Sequence, residues 1–307
     1  MNMQWGEQRS RMQGIALTTI TPFQKDGTVD EDGIYRLVDF FVENGLDSQN
    51  AFLVPLSTTG NFLALSLEEK KQVAGIFLKA ADGRFTVAIG CNHVRMDEII
   101  ELARFSQDQG AAAIMVCPPF YWKATDEQII AHYDRICSAI DIGVIIYNNH
   151  WASQVDLSVE TIGRILENQN VIGLKESTHS IFKLTRVHRL FARRLNIYNG
   201  LGEAYEPMYK QLGSVGFTST LGNVIPNIAV KLQMLLQTGR LQEAHELAGR
   251  TTPLSDFMDG LTGGQYIAAL KYGLSIRGIC DPAIRPPIIE LDQATRTELD
   301  RLLGALT

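Results

Sequence analysis

The chain of 307 residues is short of the features that mark several protein classes. Its four cysteines, Cys91, Cys117, Cys137 and Cys280, are widely spaced and form no C-x-x-C pair, which argues against a zinc ribbon or a redox motif. Thiols kept free in a reducing cytosol are expected instead. No apolar run approaches the roughly 20 residues of a membrane span, and Met1 to Arg11 is polar, unlike a signal peptide. These absences point to a cytoplasmic protein with no membrane partner. The 28 Lys and Arg against 34 Asp and Glu give a net charge of -6 with no long basic run, so no nucleic-acid footprint is expected. No histidine and carboxylate group clusters at the strand ends, so no metal site is expected. The first apolar run leads into Thr18-Thr19-Ile20-Thr21-Pro22-Phe23, which lacks the glycine-rich phosphate loop of a dinucleotide-binding sheet. No cofactor is expected either.

What is present is a soluble globular balance, with 45% hydrophobic and 20% charged residues. Apolar runs of strand length recur at Gly14–Thr19, Ala51–Pro55, Thr86–Gly90, Ala113–Cys117, Val144–Asn148, Val171–Lys175, Asn196–Gly200 and Val215–Ser219. Amphipathic segments lie between them, over Glu31–Glu43, Leu67–Ala81, Asp97–Gln109, Thr125–Ala139, Ser158–Glu167, Ser180–Phe191 and Ala204–Leu212. Ser66, Thr125 and Ser158 are placed to cap three of these helices. Eight consecutive β/α units whose strands are continuous apolar runs predict an α/β fold, a (β/α)₈ TIM barrel. An open doubly wound sheet is the alternative. Helical patterns at Ile225–Thr238, Leu241–Leu254, Gly264–Ser275 and Ala294–Leu303 exceed what a barrel needs, which predicts a C-terminal helical extension. The organisation is then a polar N-terminal segment over 1–13, the barrel over 14–224, and the last barrel helix with a helical bundle over 225–307.

In a barrel the active site lies at the C-terminal ends of the strands. The sixth strand ends in Lys175, within Val171-Ile172-Gly173-Leu174-Lys175-Glu176-Ser177. An amine drawn into apolar surroundings loses hydration and becomes a nucleophile for ketones, whereas one on a strand end can also snorkel to water. The fifth strand ends in Tyr147-Asn148-Asn149-His150, where a phenol can shuttle protons or merely cap the core. The second runs into Pro55-Leu56-Ser57-Thr58-Thr59-Gly60-Asn61, hydroxyls and backbone donors able to hold a carboxylate, or a self-bonded polar turn. The fourth leads to Cys117-Pro118-Pro119-Phe120-Tyr121-Trp122, an aromatic group suited to a pocket wall, a subunit contact or loop packing.

Taken together in this order and spacing, Ser57-Thr58-Thr59-Gly60-Asn61, Pro119-Phe120-Tyr121, Tyr147-Asn148 and Gly173-Leu174-Lys175-Glu176 resemble the dihydrodipicolinate synthase and N-acetylneuraminate lyase family. Asn223 followed by Pro226 resembles that family's motif after the eighth strand, and the likeness spans roughly Gly14 to Pro287. The resemblance implies a metal-independent class I lyase. Lys175 is then the Schiff-base residue, Tyr147 the proton shuttle, and Thr58 with Thr59 the hydroxyl relay and carboxylate site. Thr59 and Tyr121 count with the catalytic residues, while Thr58, Gly60, Asn61, Gly200, Glu203, Thr218 and Ser219 count with the substrate-binding ones. Tyr121 matches a tyrosine that family tetramers lend to a neighbouring subunit, which implies a homotetramer built as a dimer of dimers.

The departures from the family pattern narrow the reaction. Ala152 stands where the resemblance places the arginine that binds the second substrate's carboxylate in the synthases, His150 replaces a proline, and Asn61 an acidic residue. Glu203 matches the lyases' polyol-binding glutamate, but Gly202 stands where they carry an aspartate, and Glu203 can alternatively serve a helix N-terminus. For His150 a structural hydrogen bond is the plainer use. The expected activity is a Schiff-base lyase on a 2-oxo acid, either aldol cleavage or condensation with pyruvate or dehydration of a 2-keto-3-deoxy sugar acid. The alternatives are 4-hydroxy-tetrahydrodipicolinate synthase, disfavoured by Ala152, and a non-catalytic barrel that binds a small acid.

Overall fold

The computed structural model describes residues 3–306; Met1, Asn2 and Thr307 lie outside the described residues. Eight parallel strands close into one barrel in the order β1 to β8: Gly14–Leu17, Ala51–Leu53, Thr86–Gly90, Ala113–Val116, Gly143–Asn148, Val171–Glu176, Asn196–Asn199 and Gly216–Ser219. The helices are α1 (Met3–Ser10), α2 (Glu31–Glu43), α3 (Leu67–Ala81), α4 (Met96–Asp108), α5 (Asp126–Cys137), α6 (His150–Ser153) and α7 (Val159–Ile165). They continue with α8 (Ile181–Phe191), α9 (Glu206–Leu212), α10 (Pro226–Gln237), α11 (Leu241–Gly260), α12 (Gln265–Ser275) and α13 (Gln293–Gly304). The (β/α)₈ barrel with C-terminal helices read from periodicity is therefore the observed fold, each strand within two residues of its expected ends. No helix among the described residues is long and apolar enough to cross a membrane.

The expected caps are formed. Ser66 and Glu69 close a capping box on α3, Thr125 and Gln128 close another on α5, and Ser158 accepts from the Thr161 N–H on α7. Glu69 also serves a longer-range contact, since Arg285 bonds its carboxylate at 2.6 Å and donates to the carbonyls of Gly27 and Ala64. That ion pair holds the Glu69 carboxyl down to about 2 and straps the segment after α12 onto the barrel. The helix expected to end at Leu254 instead runs to Gly260. Pro253 gives up one backbone bond, yet Leu254 and Met258 keep the next turn buried.

Two features position the active end. The barrel interior is filled by Ala16, Phe52, Val54, Ala88, Met115, Ile145, Tyr147, Ile172 and Tyr198. Residues 5–13, within the segment read only as polar, stop its lower mouth: Met12 is wholly buried, Trp5 packs on the same cluster, and the Tyr198 hydroxyl donates to the Met12 carbonyl at 2.5 Å. The second feature is an irregularity between β5 and β6, where Val144 pairs with Val171 but Ile145 pairs with Gly173. Side chains on a regular strand alternate between faces, so an inward Ile172 would send Lys175 outward. The extra residue restores the parity, and Lys175 pairs with Tyr147 on one side and Tyr198 on the other, both of the interior set. Gly143 provides the room, since a Cβ there would lie 2.3 Å from Ile172 Cδ1.

Candidate active site

Lys175 and Tyr147 lie at the upper mouth of the barrel with 6% and 5% of their surface exposed. The Lys175 Nζ sits over the Tyr147 ring, 4.0 Å from its centre. The amine has thus not snorkelled to water; it faces a π surface inside the mouth. The neighbouring Glu176 points the opposite way, fully buried beneath α8, where Asn148 Nδ2 at 2.7 Å and the Thr178 N–H at 2.8 Å bond one oxygen and Lys183 pairs with the other at 3.3 Å. Desolvation raises this carboxyl and Lys183 opposes the rise, so the charge nearest Lys175 in sequence is spent behind the sheet.

The turn after β2 brings hydroxyls to the phenol. Thr58 Oγ1 lies 3.4 Å from the Tyr147 hydroxyl, whereas Thr59, expected among the catalytic residues, donates to Thr18 Oγ1 at 3.3 Å and is 4% exposed. Of the two threonines it is Thr58 whose hydroxyl lies within reach of the Tyr147 phenol. The turn holds two residues at positive φ, Leu56 at 59° and Asn61 at 52°. Such conformations cost about 1–2 kcal/mol for a residue like leucine and persist where the surroundings impose them. Gly60 is required where it stands, for a Cβ would meet the Leu56 nitrogen at 2.8 Å.

Several buried polar atoms around the mouth have no hydrogen-bond partner among the described residues: Thr19 Oγ1, Ser57 Oγ, Asn61 Nδ2 and Thr218 Oγ1. Thr218 pairs with Ala16 of the interior face, so its hydroxyl belongs to the barrel lumen. Unsatisfied buried groups are uncommon and costly, and a polar ligand in the mouth would satisfy them.

Glu203 and Ser219 bond each other. The Ser219 hydroxyl donates to the Glu203 carboxylate and accepts from the Gly222 N–H at 2.8 Å, which caps the following turn. Burial pushes the Glu203 carboxyl up to about 7, against the pull of that Ser219 bond. Gly202 adopts φ 87° and ψ -167°, a region open chiefly to glycine, which accounts for the missing aspartate on this backbone. Gly200 is equally tight, with a Cβ falling 2.2 Å from Ser177 Oγ.

Tyr121 is a solvent-exposed residue. It has φ 82°, is 71% exposed, and packs edge-on against Trp122 at 5.1 Å. His150 does not make the expected structural bond at Nδ1, which is buried without a partner; its ring packs on Trp151 at 4.6 Å and on His179 at 5.7 Å. Ala152 is an exposed position on α6. Three contacts could not be read from the sequence. Asn149 donates to the Tyr147 hydroxyl at 2.7 Å, His179 joins the aromatic rim, and Tyr266 from α12 reaches the site. Burial and the adjacent Tyr147 raise the Tyr266 phenol well above its ordinary value, opposed by a hydrogen bond to Thr59. Among the described residues no three His, Cys, Asp or Glu side chains converge as a metal site.

Known proteins share this fold. The model of the dihydrodipicolinate synthetase family matches residues 11–306. The 4-hydroxy-tetrahydrodipicolinate synthase of Bartonella bacilliformis is 30% identical over 295 residues, covering 95% of this chain and 97% of its own. Among solved structures, dihydrodipicolinate synthase from Oceanobacillus iheyensis superposes with a TM-score of 0.90 at 29% identity, covering 98% of each chain. The chloride-inhibited dihydrodipicolinate synthase from Acinetobacter baumannii, complexed with pyruvate, superposes with a TM-score of 0.88 at 27% identity, covering 96% of this chain and 99% of that one.

Proposed function

We propose, because this chain belongs to the dihydrodipicolinate synthetase family, that it is a cytoplasmic Schiff-base lyase acting on pyruvate or another 2-oxo acid. Its reaction is aldol cleavage or condensation, or dehydration of a 2-keto-3-deoxy sugar acid. The observation that carries this reading is the Lys175 amine held 4.0 Å from the Tyr147 ring centre on adjacent, registered strands. The amine adds to the C2 ketone, and the carbinolamine loses its hydroxyl as water when Tyr147 supplies a proton. The resulting iminium draws electrons from C3, and the Tyr147 phenolate takes up the proton released there or from a C4 hydroxyl. Backbone N–H groups of the Thr58–Gly60 turn and the Thr218 hydroxyl suit the substrate carboxylate. The imine itself is the electron sink, so the scheme uses no metal or cofactor.

Borohydride added with pyruvate tests the first step, and the expected product is a reduced pyruvyl adduct on Lys175. Lys271 is the internal control. Burial pushes its amine down to about 7, yet it is fully enclosed, donating to the Ala283 carbonyl at 2.8 Å over the Phe23 ring, and should stay unlabelled. Binding of pyruvate with no adduct would favour the non-catalytic barrel instead.

The second reading is the reaction for which the Bartonella relative is named, 4-hydroxy-tetrahydrodipicolinate synthesis. It requires a cation for the second substrate's carboxylate, and Ala152 offers none while His150, Trp151 and His179 form an aromatic rim beside it. Pyruvate release and water loss from a panel of hydroxylated 2-oxo acids should therefore exceed condensation of pyruvate with aspartate semialdehyde. Faster condensation than any cleavage or dehydration would reverse this ranking. The exposed, positive-φ Tyr121 supports assembly as a homotetramer in which it completes a neighbour's site. Sizing with activity across the eluted peak should find turnover only in the assembled form, and an active monomer would remove that role from Tyr121.

A further inference from the structure

Two adjacent asparagines end β5, and they diverge. Asn148 turns behind the sheet, its Nδ2 donating to Glu176 at 2.7 Å and to Asp156 at 2.9 Å. Asn149 turns into the mouth, where its Nδ2 lies 2.7 Å from the Tyr147 hydroxyl oxygen. Which end of an amide faces a phenol is ordinarily ambiguous, because oxygen and nitrogen can be exchanged. Here the other end decides it. Asn149 Oδ1 caps α6 by accepting the Trp151 N–H at 3.2 Å, which the amide nitrogen cannot do, so the NH₂ end faces Tyr147 as a donor. The Asn149 backbone is fixed as well, its carbonyl accepting from the Ser153 N–H at 3.0 Å and from Ser153 Oγ at 2.9 Å.

We infer that Asn149 is a positioning residue for proton transfer: its side-chain N–H donates to Tyr147 Oη and stabilises the phenolate that removes the C3 proton from the Lys175 imine. This rests on the Schiff-base reading proposed above. The neutral phenol can give its own proton to Thr58 Oγ1, 3.4 Å away, while accepting from Asn149. When the phenolate forms, the Asn149 N–H and the Thr58 O–H both donate to it, and bonds to an ionised acceptor are about twice as strong as neutral ones. The step then balances: the phenolate takes the C3 proton, the C–H pair becomes the C2–C3 double bond, and the iminium nitrogen receives the displaced pair. The titratable groups facing the phenol are Lys175 from β6 and Tyr266 from α12, with Tyr133 of α5 close to the Tyr147 backbone. His150 turns its ring onto Trp151 and His179 instead.

Exchange of the pyruvate methyl protons in D₂O, followed by NMR over a range of pD, tests the idea without knowledge of the second substrate. Asn149→Asp keeps an oxygen to cap α6 but replaces the donor with a carboxylate. Its exchange should fall roughly 10- to 100-fold, and the acid limb of its rate profile should move up by about one pH unit or more. Asn149→Ser, with an oxygen for the cap and a hydroxyl too short to span to Tyr147, should show the same direction with a smaller shift. Borohydride trapping of pyruvate on Lys175 should persist in both variants. An unchanged rate and profile in Asn149→Asp would overturn the inference, as would loss of trapping confined to the Asn149 variants. Absence of trapping in the unmodified protein would instead overturn the Schiff-base reading.

Discussion

Lys175→Ala is expected to abolish both imine trapping and turnover, with a fall on the order of 10⁴-fold or more, because it removes the amine that lies against Tyr147 in the mouth of the barrel. The side chain is buried, but the substitution removes an amine rather than a hydrophobic core group. Ile172, Ile145 and Tyr198 still fill the lumen below it. The variant should therefore melt cooperatively near the unmodified protein while giving no adduct with pyruvate and borohydride. The change would be read by intact mass and by peptide mapping, alongside the circular dichroism melt. Retained turnover in a folded Lys175→Ala protein would mean that the reaction does not pass through this amine.

Tyr147→Phe separates imine formation from proton transfer. The ring stays, and with it the surface against which Lys175 Nζ rests and the packing in the barrel interior. Only the hydroxyl is lost, together with its contacts to Asn149 and Thr58. The variant should still be trapped with pyruvate, while methyl-proton exchange and turnover drop roughly 10²- to 10⁴-fold, the usual contribution of a placed acid or base. A Tyr147→Phe protein that exchanges the methyl protons at the unmodified rate would transfer the proton role to another group. Tyr266, which approaches both Tyr147 and Thr59, would be the next to test.

The architecture was legible because parallel strands covered on both faces are unbroken apolar runs, and β1 to β8 are such runs separated by capped amphipathic helices. Lys175 and Tyr147 could be found for the same reason, as polar residues ending two of those runs. Their facing was not legible. In Val171–Glu176 a period of two separates Ile172 from Lys175, and only the irregular pairing between β5 and β6 turns both inward. The division of labour between Thr58 and Thr59 depends on a turn with Leu56 at positive φ, a conformation that leucine composition does not announce. Asn149 precedes a helix of four residues, too short to show a periodicity, and its side chain reads as an ordinary cap until its second end is followed to Tyr147. Tyr266 lies more than one hundred residues from Tyr147 in sequence and reaches it only through the way α12 packs. The polar composition of the N-terminal segment hid Trp5 and Met12, which pack at the lower mouth.

The most direct measurement is peptide mapping of the intact protein after borohydride reduction in the presence of pyruvate. One reduced pyruvyl adduct is predicted, on Lys175, with the buried amine of Lys271 unmodified. Folded protein that binds pyruvate yet carries no adduct, or carries it on any other lysine, would contradict the assignment of Lys175 as the imine-forming residue.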